Sequence, residues 1–252
     1  MIPKIIHMCW FGPHDINKNQ VIQRCIASWR SHMSDYVIME WTEANVDISA
    51  LPPFARNAYK NKKWAYVADV VRFQKLYEYG GVYLDTDMLV LKSFSLLLEK
   101  EERNNKDISI WGMEDEQHVS CGIIAANKNN KLIGGLSDFY IKHYGKGNNL
   151  NNIIAVPKIV SSIISENKIH NENFEKEIKI YSAEYFYPLP NAHKKEDYKK
   201  FITDKSVAVH LWNYSWQPWY IKILSSIGIV QIGKTILRGK LRIVVKKLLR
   251  LG

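Results

Sequence analysis

"YEYGGVYLDTDMLVLKS" (Tyr77–Ser93) reads as the end of a helix, a Gly-Gly stop, a short apolar strand and two aspartates one residue apart. An apolar strand gains nothing by ending on two carboxylates. They repel each other, and each costs several kcal/mol if it is desolvated without a partner. A cation between or just beyond them removes that cost. On an extended chain, side chains at i and i+2 point to the same side, so Asp85 and Asp87 are expected to face one site while Thr86 faces away. Hard oxygen donors suit Mn²⁺ or Mg²⁺. Two carboxylates make only part of a coordination shell, and a bound diphosphate could supply the rest.

Upstream, "NAYKNKKWAYVADVVRFQKLYEYGG" (Asn57–Gly81) is expected to be one long helix ended by Gly80 or Gly81. Asp69 and Arg72 lie at i, i+3 and share a face of it. The plain alternative is a surface ion pair worth about 0–1 kcal/mol. Their closeness to Asp-Thr-Asp favours a ligand-facing pair, with Asp69 accepting from sugar hydroxyls and Arg72 meeting a sugar or phosphate oxygen.

Further out, residues 2–10 are apolar and end at Gly12-Pro13, which predicts a buried first strand. Residues 18–32 repeat apolar side chains at helical spacing, and "YVIMEW" (Tyr36–Trp41) reads as a second strand. Strand, helix, strand predicts the start of a parallel sheet in an α/β protein. "ISIWGM" and "CGIIAANK" read as further strands, 131–144 and "PKIVSSIISEN" as helices, and "GKGNNLNN" (Gly145–Asn152) as a loop. "VAVHLWNYSW" (Val207–Trp216) starts as a strand and ends as an aromatic loop, with His210 at the change.

The chain of 252 residues, 46% apolar, can bury one large α/β core. Cys9, Cys25 and Cys121 match no metal spacing and are expected to be reduced thiols in a cytosolic protein. The first strand candidate follows Met1 directly, so no signal peptide is expected. No apolar run reaches the roughly 18–20 residues of a membrane-spanning helix.

The formal charge of +10 is concentrated. Residues 219–252 hold eight basic residues and no Asp or Glu, leaving +2 for the remainder. A near-neutral body argues against a nucleic-acid-binding protein with a wide basic groove. From Lys234 to Leu251, Leu237, Leu241, Val244, Val245 and Leu248 fall on one helical face, while Lys234, Arg238, Arg242, Lys246 and Arg250 recur every four residues. This predicts a basic amphipathic tail that lies on an anionic membrane surface. The alternative is a C-terminal core helix with a solvated basic face. The domain reading is therefore 1–218 for the body and 219–252 for the tail.

"WAYVADVVRFQKLYEYGGVYLDTDMLVLKS" strongly resembles the DXD region of glycosyltransferase family 32, which includes bacterial capsular and O-antigen enzymes and fungal mannosyltransferases. "IPKIIHMCWFG", "HVSCGIIAANKNNKLI", and "YFYPLP" with "VAVHLWNYSW" resemble that family's other motifs in the same order, so the resemblance spans roughly residues 2–218. It implies a GT-A, Rossmann-like nucleotide-sugar-binding fold and a metal-dependent transferase that retains anomeric configuration, with Mn²⁺ or Mg²⁺ as cofactor. Its donor would be a nucleotide-sugar such as a UDP-sugar. By the same resemblance, Asp87 looks like the direct metal ligand, and Asp85 like a partner touching ribose, sugar or metal. Asp69 and Arg72 look like donor-sugar binders, completing the catalytic set Asp69, Arg72, Asp85 and Asp87. His210 looks like a metal or diphosphate ligand, with Ser215 and Trp216 closing over the diphosphate. His7 and Trp10 sit where the first strand would meet the nucleotide, and Trp10 could stack on the base. Trp10 could equally be a core residue, and His7, in an apolar strand, reads as structural rather than catalytic.

Glu114, Asp115 and Glu116 form an acidic run expected to be solvated or to edge an acceptor site, with His118 close by. Cys121 reads as a small buried residue. The expected acceptor is a lipid-linked surface glycan, and the expected location is cytoplasmic, peripheral on the inner face of the cell membrane. A toxin-like transferase acting on a protein is the rival reading among enzymes.

Overall fold

The computed structural model describes residues 1–105, 107–144, 156–170, 177–191 and 193–213. The chain divides into two units, Met1–Asn213 and Tyr214–Gly252, and all described residues lie in the first. The tail, Ser215, Trp216 and the Asn-rich stretch from Gly145 therefore lie outside the described residues.

A six-stranded sheet forms the centre, in the order β2-β1-β3-β6-β5-β7. Strand β1 (Ile5–Cys9) pairs in parallel with β2 (Val37–Trp41) and β3 (Gly81–Leu84). The strand–helix–strand opening thus forms the expected parallel unit. Beyond β3 the sheet becomes mixed: β6 (Val119–Ala126) runs antiparallel to both β3 and β5 (Ser109–Met113), and β5 is parallel to β7 (Ile178–Tyr181).

The sheet separates two apolar cores. On one side Ile6, Met8, Val82, Leu84, Ile123 and Ala125 pack with helix α1 (Gln20–His32). On the other Cys9, Tyr83, Ile124 and Ala126 pack with α3 (Trp64–Tyr79), α5 (Lys131–Tyr144) and α6 (Val156–His170). Alternation along β1, β3 and β6 sends successive side chains to opposite cores, which is why all three strands are almost wholly buried and mostly apolar.

Two expected elements are interrupted. The long helix from Asn57 is two: α2 (Pro53–Lys60), begun by a proline in its first turn, and α3. Between them Lys62 adopts φ 57°, which a continuing helix cannot contain. The strand through the aspartates is also two, β3 and β4 (Met88–Val90), joined by a turn in which the Met88 N–H donates to the Asp85 carbonyl at 2.9 Å. Strand β4 leaves the main sheet and pairs antiparallel with β8 (Ala208–His210). Helix α4 (Ser95–Asn104) and strand β7 were not expected from sequence, and a short α7 (Ala183–Phe186) follows β7.

Candidate active site

The Gly-Gly stop is demanded by geometry. Gly80 has φ 67° and Gly81 φ 105°, and a Cβ on Gly81 would lie 2.7 Å from the Ile5 carbonyl oxygen. Only glycine lets α3 turn back this tightly onto β1. The chain then runs through buried β3 and reaches Asp85, whose N–H donates to the Gly122 carbonyl at 2.8 Å.

The β4–β8 pairing sets Met88 opposite His210. His210 Nε2 therefore lies 3.0 Å from Asp87 Oδ1 and 4.0 Å from Asp85 Oδ2. One ligating atom from each of Asp85, Asp87 and His210 falls within 4.8 Å of the others. Asp87 is further fixed by main-chain donors: its Oδ2 accepts from the Asn213 N–H at 2.8 Å and its carbonyl from the Leu211 N–H at 3.0 Å. Asp85 and Asp87 do converge, but through a turn and not along one extended strand.

Arg72 and Asp69 form a buried pair at 2.8 Å, not a surface one. The guanidinium also donates to the Cys121 carbonyl at 2.6 Å and lies 3.5 Å from Asp85 Oδ1. It stacks 4.5 Å over the Tyr83 ring, whose hydroxyl donates to Asp85 Oδ1 at 2.9 Å. Asp69, Arg72, Tyr83 and Asp85 thus form one connected polar chain leading to the metal-type cluster.

The electrostatics follow from burial against charge. Burial pushes the Asp87 carboxyl up, but His210 and the Asn213 N–H outweigh it and hold the group below its ordinary range. Burial pushes His210 down, yet Asp87 and then Asp85 raise it above the ordinary imidazole value. Burial carries Asp69 up to about 6 in spite of Arg72, with Asp85 adding to the rise. The point between Asp85, Asp87 and His210 therefore favours positive charge. Two carboxylates and an imidazole nitrogen suit a divalent cation such as Mn²⁺, with positions left for outside oxygens.

The other expected residues are placed differently. His7 is not brought to this cluster. It is fully buried, its Nε2 is 2.7 Å from the Gly80 carbonyl, and its Nδ1 accepts from the Trp41 indole N–H at 3.1 Å. Both ring nitrogens are engaged in holding β1, β2 and the α3 terminus together, the structural placement that an apolar strand also allows. Trp10 follows the C-terminal end of β1, half-buried, its indole N–H donating to the His14 carbonyl at 2.6 Å. Asp115 accepts from the Gln117 and His118 N–H groups and closes the β5–β6 turn. Burial raises Glu114, with His210 first among the charges that oppose the rise. The Cys121 thiol is buried and pushed upward by that burial, as expected of an inert core cysteine.

Three contributors were not foreseen. Tyr83 was legible, because the i, i+2 rule that relates Asp85 to Asp87 also relates Tyr83 to Asp85. Tyr187, from "YFYPLP", accepts the Ile123 N–H at 2.9 Å and sets its ring 5.8 Å from that of His210. Gly122 leaves room for both: a Cβ there would lie 3.0 Å from Asp85 Oδ2 and from the Tyr187 hydroxyl. The last two lie in "YFYPLP" and "HVSCGIIAANKNNKLI", stretches legible as motifs in which nothing local singles out either residue.

Comparison with known proteins agrees with this geometry. Residues 19–106 match the glycosyltransferase sugar-binding region containing DXD motif, and residues 149–234 match the alpha 1,4-glycosyltransferase conserved region. Inositol phosphoceramide mannosyltransferase 3 of Schizosaccharomyces pombe is 32% identical over 93 residues, 34% of this chain and 24% of that protein. An uncharacterized protein of Arabidopsis thaliana is 26% identical over 167 residues, 58% of this chain and 24% of that protein. The matches thus span about a quarter of the length of these relatives. Among solved structures, PaToxG glycosyltransferase superposes with a TM-score of 0.51 at 20% identity, covering 69% of this chain and 74% of that one. The likeness is one of fold, and the fold is GT-A.

Proposed function

From a chain that carries the DXD-containing sugar-binding region of glycosyltransferases, we infer a metal-dependent retaining glycosyltransferase that uses a nucleotide-sugar donor, such as a UDP-sugar. The observation that carries this reading is the convergence of Asp85, Asp87 and His210 within 4.8 Å, supported from behind by Tyr83 and the Asp69–Arg72 pair. Asp85, Asp87 and His210 would hold Mn²⁺ or Mg²⁺. Such an ion, when bound, neutralises diphosphate charge.

The protein groups do the rest. Asp87 is locked by His210 and by main-chain N–H groups, so its position does not change as charge develops, which is the condition for electrostatic preorganisation. Asp69 faces donor hydroxyls while Arg72 orients it and Asp85. In the transfer, the bond between the anomeric carbon and the β-phosphate oxygen breaks and its electron pair stays on that oxygen. For retention, the acceptor oxygen forms the new bond to the anomeric carbon on the same face that the diphosphate leaves, and its proton passes to the departing diphosphate.

The acceptor in this reading is a lipid-linked surface glycan of capsule or O-antigen type. The relative named for a mannosyl transfer to inositol phosphoceramide supports a lipid-borne acceptor, and the basic pattern of residues 219–252 supports a membrane-peripheral site of action on the cytoplasmic face. No helix among the described residues is long and apolar enough to cross a membrane.

A panel of nucleotide-sugars incubated with the full chain, with Mn²⁺ or with EDTA, tests the central claim. Expected is metal-dependent release of nucleoside diphosphate from one donor. Release from none of them, or equal release in EDTA, would sink it. The anomeric configuration of the product, read by NMR, tests retention.

A further inference from the structure

The segment "HKKEDYKK" (His193–Lys200) holds six charged residues among eight. Its 3₁₀ turn, Lys195–Lys200, is nonetheless held in a defined place. Tyr198 is buried within it, with the Arg24 guanidinium 5.1 Å over its ring and donating to its hydroxyl. The turn delivers Lys195 to the edge of the metal-type cluster. Lys195 Nζ donates to Asn213 Oδ1 at 3.4 Å, and the same Asn213 donates its main-chain N–H to Asp87 Oδ2 at 2.8 Å.

Two features of this arrangement are unexplained by folding. Among the described residues no carboxylate pairs with Lys195, whose hydrogen bond goes to a neutral amide. And Asn213 Nδ2 is buried with no hydrogen-bond partner among the described residues. A buried donor left unsatisfied costs about 1–3 kcal/mol, so a site that retains one gains when a ligand oxygen arrives.

Charge balance says what that ligand is. A divalent cation just cancels Asp85 and Asp87. A diphosphate arriving there brings further negative charge, and the charge of Arg72 is already paired with Asp69 and Asp85. Among the described residues, Lys195 is a cation beside the cluster that no carboxylate pairs. Resting on the nucleotide-sugar reading above, we propose that Lys195 and the Asn213 carboxamide form a second phosphate clamp, contacting the donor diphosphate and taking up the charge left on its oxygen when the sugar departs. An ammonium placed where negative charge accumulates stabilises that charge without moving a proton.

The test uses the full chain and calorimetric titration with UDP and with GDP in the presence of Mn²⁺, and with Mn²⁺ alone. For the diphosphate that wild type binds, Lys195→Ala and Lys195→Gln should weaken affinity about tenfold, the size of one charge-assisted hydrogen bond. Lys195→Arg should restore most of it, because charge and not shape is what the clamp needs. Affinity for Mn²⁺ alone should stay within about twofold of wild type, since no metal ligand is touched, and the loss should shrink in high salt. Lys195→Gln keeps the stem of the side chain and so controls for packing. Wild-type affinity in Lys195→Ala, or an arginine variant as weak as the alanine one, overturns the clamp while leaving the function reading intact. Absence of UDP or GDP binding by the wild type overturns both.

Discussion

Asp87 is the residue on which the site turns, because every polar atom of its side chain and its carbonyl are engaged by the segment from His210 to Asn213. Asp87→Asn removes an anion where a cation is to be held. Transfer should fall more than about a hundredfold, and Mn²⁺ affinity should fall with it; undiminished transfer by this variant would remove Asp87 from the metal site. His210→Ala should lose less transfer, about tenfold, because two oxygen donors remain. Asp69 offers a pH test. Its folded value is raised to about 6 by burial. A raised carboxyl binds its proton more tightly folded than unfolded, so the stability it contributes is complete below the ordinary value near 3.9 and is lost as pH climbs through about 6. Urea titrations at pH 4 and pH 7 should show wild type losing stability relative to Asp69→Asn over that interval, on the order of 1–3 kcal/mol. The opposite sign would mean that the Arg72 pairing outweighs burial.

At the scale of elements, the site is a junction. The β3–β4 turn carries the aspartates, β6 supports it from one side and α1 from another. Trp29 on α1 is fully buried and donates its indole N–H to the Met88 carbonyl at 2.7 Å, while Ser28 Oγ accepts the Val90 N–H at 3.0 Å. Trp29→Phe removes that bond and leaves a small cavity, so it should cost about 2–3 kcal/mol in chemical denaturation. A loss below about half a kcal/mol would mean that β4 is held elsewhere. Gly122 on β6 predicts the reverse pattern. A methyl group there presses on the Asp85 carboxylate and the Tyr187 hydroxyl at 3.0 Å, both polar groups of the site. Gly122→Ala should therefore cut transfer about tenfold, since small displacements in a preorganised site are costly, while the thermal midpoint moves by only a few degrees. Unfolding instead of inactivation would show that the contact is structural.

For the whole molecule, the question is how a near-neutral body and a basic C-terminal segment divide the work. Each Lys or Arg near an anionic surface is worth about 1 kcal/mol, and an apolar face adds insertion. A chain ended near Gly228 should hydrolyse donor and transfer to a short soluble acceptor. It should float poorly with vesicles rich in anionic lipid and lose transfer to a lipid-linked acceptor. Binding of the full chain to such vesicles should weaken with salt. Aggregation of the shortened chain would identify residues 229–252 as part of a core and remove the membrane role.

Much of the protein is determined by local sequence. Apolar runs and helical spacing mark β1, β6, α1 and α5 because burial on two faces or on one stripe is written into residue type and period. Asp-Thr-Asp, Asp69 with Arg72, and His210 before its aromatic loop stand out as candidates for the same reason: charged and polar side chains set in apolar stretches need partners. Tertiary structure alone decided which of these residues meet. Period defines the face an element buries but not its neighbour, so the antiparallel entry of β6, the departure of β4 from the main sheet and the break at Lys62 were beyond it. Asn213 reaches Asp87 across 126 residues of chain, and Tyr187 reaches Ile123 across 64. Contacts of that span are selected by packing of the whole core, where a hydroxyl, a missing Cβ or a main-chain N–H fixes the geometry and leaves no period in the local sequence.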